Sequence, residues 1–128
     1  MATFQPIVVV ADDDPGMRRL LGRALGGSGY TVLLAMDVRE AMDHLRRPGI
    51  AAAILDVLFV NSAGLSGLDL LQFIRRDPFL ADLPVIIMSG FQLNREVVTQ
   101  VEAHHAEMWV KPFDVARLTR RLGELIHK

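Results

Sequence analysis

Along this chain, continuous apolar runs alternate with segments whose apolar residues recur at helical spacing. IVVVA (7–11) is apolar throughout and stops at Asp12. From Pro15 onward Met17, Leu20, Leu21, Ala24 and Leu25 share one helical face. Asp14 is placed to cap that helix, Pro15 sits at its first position, and Gly26, Gly27 and Gly29 are the expected stop. YTVLLA (30–35) reads as a strand, and Asp37 with Glu40 forms a capping-box pattern ahead of Ala41, Met42 and Leu45. IAAAIL (50–55) is a third apolar run, ending at Asp56. Ser66 with Asp69 opens a helix through Leu70, Leu71, Phe73 and Ile74. LPVIIM (83–88) predicts a strand ending at Ser89, NREVVTQVEA (94–103) a helix, and EMWV (107–110) a short strand ending at Lys111-Pro112. Asp114 caps a last helix through Leu118, Leu122, Leu125 and Ile126.

Strands and helices in strict alternation predict an α/β fold, a parallel sheet covered on both faces. The first, third and fourth runs are apolar at every position, as strands buried on both sides are. With right-handed crossovers, the expected architecture is a flavodoxin-like doubly wound sheet of five strands, order 2-1-3-4-5, with five helices.

The polar residues that end the runs then acquire a common address. Asp12, Asp13, Asp56, Ser89 and Lys111 all fall at carboxyl ends of strands, and parallel strands put those ends along one edge. The first and third strands flank the switch point, where open α/β sheets bind ligands. Carboxylates converging there repel one another unless a cation joins them. Oxygen-only ligation suits Mg²⁺, which keeps positions for water or phosphate oxygens. A lysine and a serine hydroxyl beside it suit phosphoryl transfer, with a carboxylate as nucleophile.

Composition narrows the setting. The 128 residues are 51% hydrophobic and 23% charged, with a formal net charge of −1. That is globular composition, read as one domain over 1–128, without the basic excess of a nucleic-acid binder. Cysteine is absent, which removes disulfides and thiolate metal sites. MATFQPI lacks the features of a secretory signal, and no apolar run approaches the roughly 20 residues of a membrane span. A cytoplasmic protein is expected.

Taken in order, VVVADDDPGMRRLL, the Asp56 after AAAIL, the Ser89 of LPVIIMSG and the Lys111-Pro112-Phe113 of WVKPFD resemble the receiver domain of two-component response regulators. The resemblance spans essentially the whole chain. It implies a signalling module, not an enzyme, in which Asp56 accepts a phosphoryl group from a histidine kinase or a histidine phosphotransfer protein. It also implies Mg²⁺ held by Asp12, Asp13, Asp56 and the backbone carbonyl of Leu58. Ser89 is expected to bind the phosphoryl group, Lys111 to pair with its oxygens, and the Lys111–Pro112 bond to be cis. Output through protein contacts is implied, including a homodimer through the fourth helix, fifth strand and fifth helix; no direct nucleic-acid or membrane partner is expected.

The chain departs from the family pattern at named positions. DVLFVNSAGLSG lacks the usual Met-Pro after the acceptor, and Gly67 comes eleven residues after Asp56, an insertion of about three that brings Leu58, Phe59 and Val60 near the site. The switch position, usually Tyr or Phe, is Met108, with Trp109 beside it as the other candidate. Apolar Leu58 and Phe91 flank the acceptor and the serine, which implies slow self-dephosphorylation. These departures keep open a phosphorylation-independent interaction module of the same fold. A phosphohydrolase with a nucleophilic Asp is disfavoured, because Leu58 stands where its general acid belongs.

Overall fold

The computed structural model describes residues 5–59, 63–90 and 94–127; Val60 and Phe91 lie outside them. Five strands, β1 (Ile7–Ala11), β2 (Thr31–Ala35), β3 (Ile50–Asp56), β4 (Val85–Ser89) and β5 (Glu107–Val110), alternate with five helices. The helices are α1 (Pro15–Gly27), α2 (Val38–Leu45), α3 (Gly67–Arg76), α4 (Arg95–Ala103) and α5 (Val115–Ile126). The sheet is parallel in the order β2-β1-β3-β4-β5, the flavodoxin-like arrangement that the apolar runs predict.

Two packed layers hold it. Val9, Ala11, Leu55 and Ile87 face a cluster that includes Leu45 of α2, Leu71 of α3 and Val101 of α4. Val8, Val10, Ile54 and Ile86 face the other way, against Leu21 and Leu25 of α1 and Leu118 and Leu122 of α5. Successive residues of one strand serve opposite layers, so β1, and β3 and β4 up to their last residue, must be apolar at every position. A buried Leu or Ile contributes about 1.5–3 kcal/mol.

Helix ends follow the capping residues. Asp14 accepts from the Gly16 N–H at 3.0 Å, and Asp37 from the Glu40 N–H at 2.8 Å. Ser66 and Asp69 form a reciprocal capping box on α3. One boundary differs from expectation: α1 continues through Gly26 and Gly27, whose geometry stays helical. The chain turns at Gly29, where φ is +97° and a side chain would be strained. β4 starts at Val85, not Leu83, because Pro84 has no N–H for the ladder; its carbonyl accepts from Ala53 instead. Among the described residues no helix is long and apolar enough to cross a membrane.

Candidate functional site

The carboxyl edge of the sheet assembles the polar residues. Asp56 and Ser89 are the last residues of β3 and β4, each strand running one residue past the apolar run that predicts it, and both are nearly buried. Beyond them the ladder continues for one more bond on each side. Val57 N–H donates to the Met88 carbonyl at 2.8 Å, and Lys111 N–H to the Ser89 carbonyl at 2.7 Å. Those bonds stagger Asp56, Ser89 and Lys111 along one edge, Asp56 level with Met88, Ser89 level with Val110 and Lys111 one residue further on. On the other side of β3, Asp12 N–H donates to the Ala35 carbonyl at 3.1 Å, which continues β1 past its last paired residue. The Lys111–Pro112 peptide is cis, as the resemblance implies.

Asp12, Asp13 and Asp56 each offer a carboxylate oxygen, and the three lie within 4.8 Å of one another. The Lys111 ammonium donates to Asp12 Oδ2 at 2.8 Å and to Asp56 Oδ2 at 2.9 Å. Their remaining oxygens take backbone donors: Asp14 N–H reaches Asp12 Oδ1 at 2.9 Å, and Leu58 N–H reaches Asp56 Oδ1 at 3.1 Å. Burial pushes the Asp56 carboxyl above its ordinary range and the Asp12 charge adds to this, against the hydrogen bonds from Lys111 and Leu58. Burial pulls Lys111 down, but hydrogen bonds to Asp12 and Asp56 and both their charges outweigh it and hold the ammonium above its ordinary value.

Gly67 explains why the loop after Asp56 must end in glycine. A Cβ there would collide with the Asp56 carbonyl, so α3 starts against the backbone of the acidic strand end. Gly67 N–H also donates to the Val57 carbonyl at 3.0 Å. The longer loop leaves Leu58 66% exposed while Phe59 is buried in the α2–α3–α4 layer.

Met108 and Trp109 occupy opposite faces of β5. Met108 packs on the layer that contains α3 and α4. Trp109 lies on the α1–α5 side, edge-on to Phe113 at 6.1 Å, with its indole N–H on Glu107 Oε1 at 2.9 Å. Of the two, Met108 shares the α4 side of the sheet.

Two arginines, one beside this site and one at the opposite edge of the sheet, escape the sequence reading. Arg18 on α1 donates from Nη1 to the Asp12 carbonyl at 2.8 Å, and lines a small cleft with Asp13, Met36 and Asp37. Arg75 on α3 donates to the carbonyls of His104 (2.7 Å), Ala81 (3.0 Å), Leu83 (2.7 Å) and His105 (3.2 Å). It thereby ties the end of α4 to the turn before β4. Their targets are backbone oxygens, which every residue has, so no side-chain pattern announces them. On α5, Arg121 pairs with Glu107 at 2.9 Å and Glu124 at 3.0 Å.

A fold of this topology with an acidic cluster at its switch point defines a class, and comparison with known proteins agrees with it. The family model described as response regulator receiver domain matches residues 8–123. Response regulator MprA of Mycolicibacterium vanbaalenii is 31% identical over 121 residues, covering 94% of this chain and 50% of that protein. MprA of Mycobacterium avium (strain 104) gives the same identity, with 51% of its length covered. The receiver domain of NtrX from Brucella abortus superposes with a TM-score of 0.83 at 26% identity, over 94% of this chain and 98% of that one. A CheY-like receiver domain protein from Methanospirillum hungatei JF-1 shares the fold with a TM-score of 0.86 at 18% identity, over 97% and 95% of the two chains. The chain belongs to the response regulator receiver family. It spans about half the length of the curated relatives it matches.

Proposed function

We propose that Asp56 is the phosphoacceptor of a cytoplasmic two-component phosphorelay, charged by a histidine kinase or a histidine phosphotransfer protein. The observation that carries this reading is the convergence of Asp12, Asp13 and Asp56 on one cation-sized site beside Lys111. An Asp56 oxygen attacks phosphorus, the bond from phosphorus to the donor imidazole nitrogen breaks, and the imidazole leaves. Membership of the receiver family supports the step.

The donor set fits Mg²⁺: three carboxylates supply hard oxygen ligands within reach of one ion, and no sulfur or imidazole stands among them. Asp12, Asp13, Asp56 and, by the resemblance, the Leu58 carbonyl hold it, and when bound it supplies the positive charge that lets this edge face a phosphoryl group. Lys111 neutralises phosphoryl oxygens from the β5 side. The Ser89 hydroxyl, whose only hydrogen bond among the described residues is a long 3.3 Å contact to the Gly90 carbonyl, is available to turn toward them. Met108, packed on the α4 side, is where that movement reaches the output face of α4, β5 and α5, the surface proposed for dimer and partner contacts.

The test uses beryllofluoride, a stand-in for an acyl phosphate, with Mg²⁺, read by Trp109 fluorescence. A saturable, Mg²⁺-dependent change that Asp56→Asn abolishes is the expected result. A change that survives Asp56→Asn overturns the assignment. No change at all favours the phosphorylation-independent module, for which Met108 in place of an aromatic ring is the supporting observation.

A further inference from the structure

The sheet edge opposite the carboxylates carries a second concave surface. The turn between α2 and β3 and the turn between α3 and β4 bound a cleft of about 490 Å³, floored by Leu45, Ile50 and Leu80 and flanked by Arg47 and Asp77. β3 begins there at Ile50 and ends at Asp56, so about 20 Å of strand, at ~3.3 Å per residue, separates the cleft from the acidic cluster.

Phe79 stands on the rim of this cleft and is 93% exposed. The turn that carries it is well tied. Phe79 N–H donates to Asp77 Oδ1 at 2.8 Å, Leu80 N–H to the Asp77 carbonyl at 3.0 Å, and Leu83 N–H to the Leu80 carbonyl at 2.9 Å. The ring therefore projects from a defined turn and contributes little to its own core. Arg47 and Asp77 line the same cleft, yet among the described residues neither takes part in an ion pair.

One patch thus holds an aromatic knob, an apolar cleft, a cation and an anion with no ion-pair partner. An isologous contact needs just such a self-complementary surface, because both subunits present the same patch. We propose that this edge associates with a second copy of the chain about a two-fold axis, the Phe79 ring of each seated in the other's cleft and Arg47 of each facing the other's Asp77. The patch is smaller than the ~20–30 residues a side of a stable interface, so the dimer is weak, with a dissociation constant on the order of 100 µM. It lies at the far edge from Asp56, so it forms without phosphorylation.

Sedimentation equilibrium of the 128-residue chain over rising concentration tests this, with and without Mg²⁺ and beryllofluoride. The wild type should shift from monomer toward dimer already without Mg²⁺ and beryllofluoride. Phe79→Ser, a change at an exposed site that leaves the fold intact, should weaken association at least about tenfold, as loss of a central aromatic anchor does. Arg47→Glu should weaken it too, by turning attraction to Asp77 into repulsion. Three results overturn the proposal. The first is a wild type that stays monomeric up to about 1 mM, well above the constant expected for so small a patch, and it would leave the knob to some other partner. The second is a Phe79→Ser variant that associates like wild type. The third is association that needs beryllofluoride, which belongs to another face.

Discussion

Two groups of charges in this molecule are built alike and behave in opposite ways. At the carboxyl edge Lys111 bridges Asp12 and Asp56 at 2.8 and 2.9 Å; on the α5 side Arg121 bridges Glu107 and Glu124 at 2.9 and 3.0 Å. Yet Asp56 is pushed above the ordinary carboxylate range, burial being the largest cause, while Glu107 is held below it, chiefly by the Arg121 hydrogen bonds, which outweigh burial. Geometry of the pairs does not separate them. Solvent access and the count of acids do. Glu107 keeps about a third of its side-chain surface in water and receives a fork, Nε donating to both its oxygens at 3.0 and 2.9 Å. Asp12 has no exposed side-chain surface, and one ammonium serves a cluster with a third carboxylate, Asp13. The surface group sits largely in water, whereas the buried one draws three carboxylates within 4.8 Å of one another, two of them held by Lys111.

The sharpest way to break this contrast is to remove the cation from the buried group. Lys111→Met leaves Asp12 without its ion-pair partner and Asp56 with an added repulsion. Breaking a buried pair costs about 3–5 kcal/mol; with Lys111 a quarter exposed, a loss of about 2–4 kcal/mol in urea denaturation without metal is expected. Mg²⁺ should restore part of it. The matching Arg121→Met change should cost clearly less and show no Mg²⁺ dependence. Equal losses for the two variants would mean that burial does not distinguish the groups.

A smaller effect, of opposite sign, is expected from Asp56→Asn. Because folding raises the Asp56 pKa, the protonated form is the one the fold prefers. Its favourable contribution is present in acid and is lost as pH rises through the raised value, after which the ionised group costs stability. Asparagine carries no such cost, so the variant should be more stable than wild type at pH 7 without metal, by less than Lys111→Met loses. The difference should vanish in acid. Adding Mg²⁺ should stabilise wild type and leave the variant nearly unmoved. A variant less stable than wild type at neutral pH, metal-free, would show that the Lys111 bond outweighs the crowding.

How much of this was legible beforehand follows from where each signal resides. The sheet order and the row of Asp12, Asp13, Asp56, Ser89 and Lys111 could be read because apolar runs mark buried strands, and a polar residue ending one has a fixed place. The sequence offers Met108 and Trp109 alike as switch candidates, although strand alternation alone sends neighbours to opposite faces. The Arg75 clasp left no trace, since it grips four carbonyls. The Glu107–Arg121 pair carries no local pattern either, because the partners lie fourteen positions apart on different elements. The α1 end was misplaced because paired glycines can stay helical; the turn needed only the positive φ of Gly29.

The smallest expected effect completes the contrast from the exposed side. Glu107 is held below its ordinary value, so its contribution is present above the unfolded pKa and is lost as pH falls through the lowered one. Glu107→Gln should therefore cost a few tenths of a kcal/mol at pH 7, the range for a part-exposed pair after solvent screening, and nothing once the medium is acidic enough to protonate the wild-type carboxylate. Salt should erode this difference, because screening acts over about 8 Å at 0.15 M and reaches exposed charges first, while the cost of Lys111→Met should persist. Trp109 supplies a second readout, since its indole N–H rests on the same Glu107 oxygen that Arg121 holds. Its emission should change with pH in wild type over the acid range where Glu107 protonates, and stay flat in Glu107→Gln. A pH response that survives the substitution would mean that Trp109 senses the buried carboxylates through β5, and the two charge groups would then be coupled, not separate.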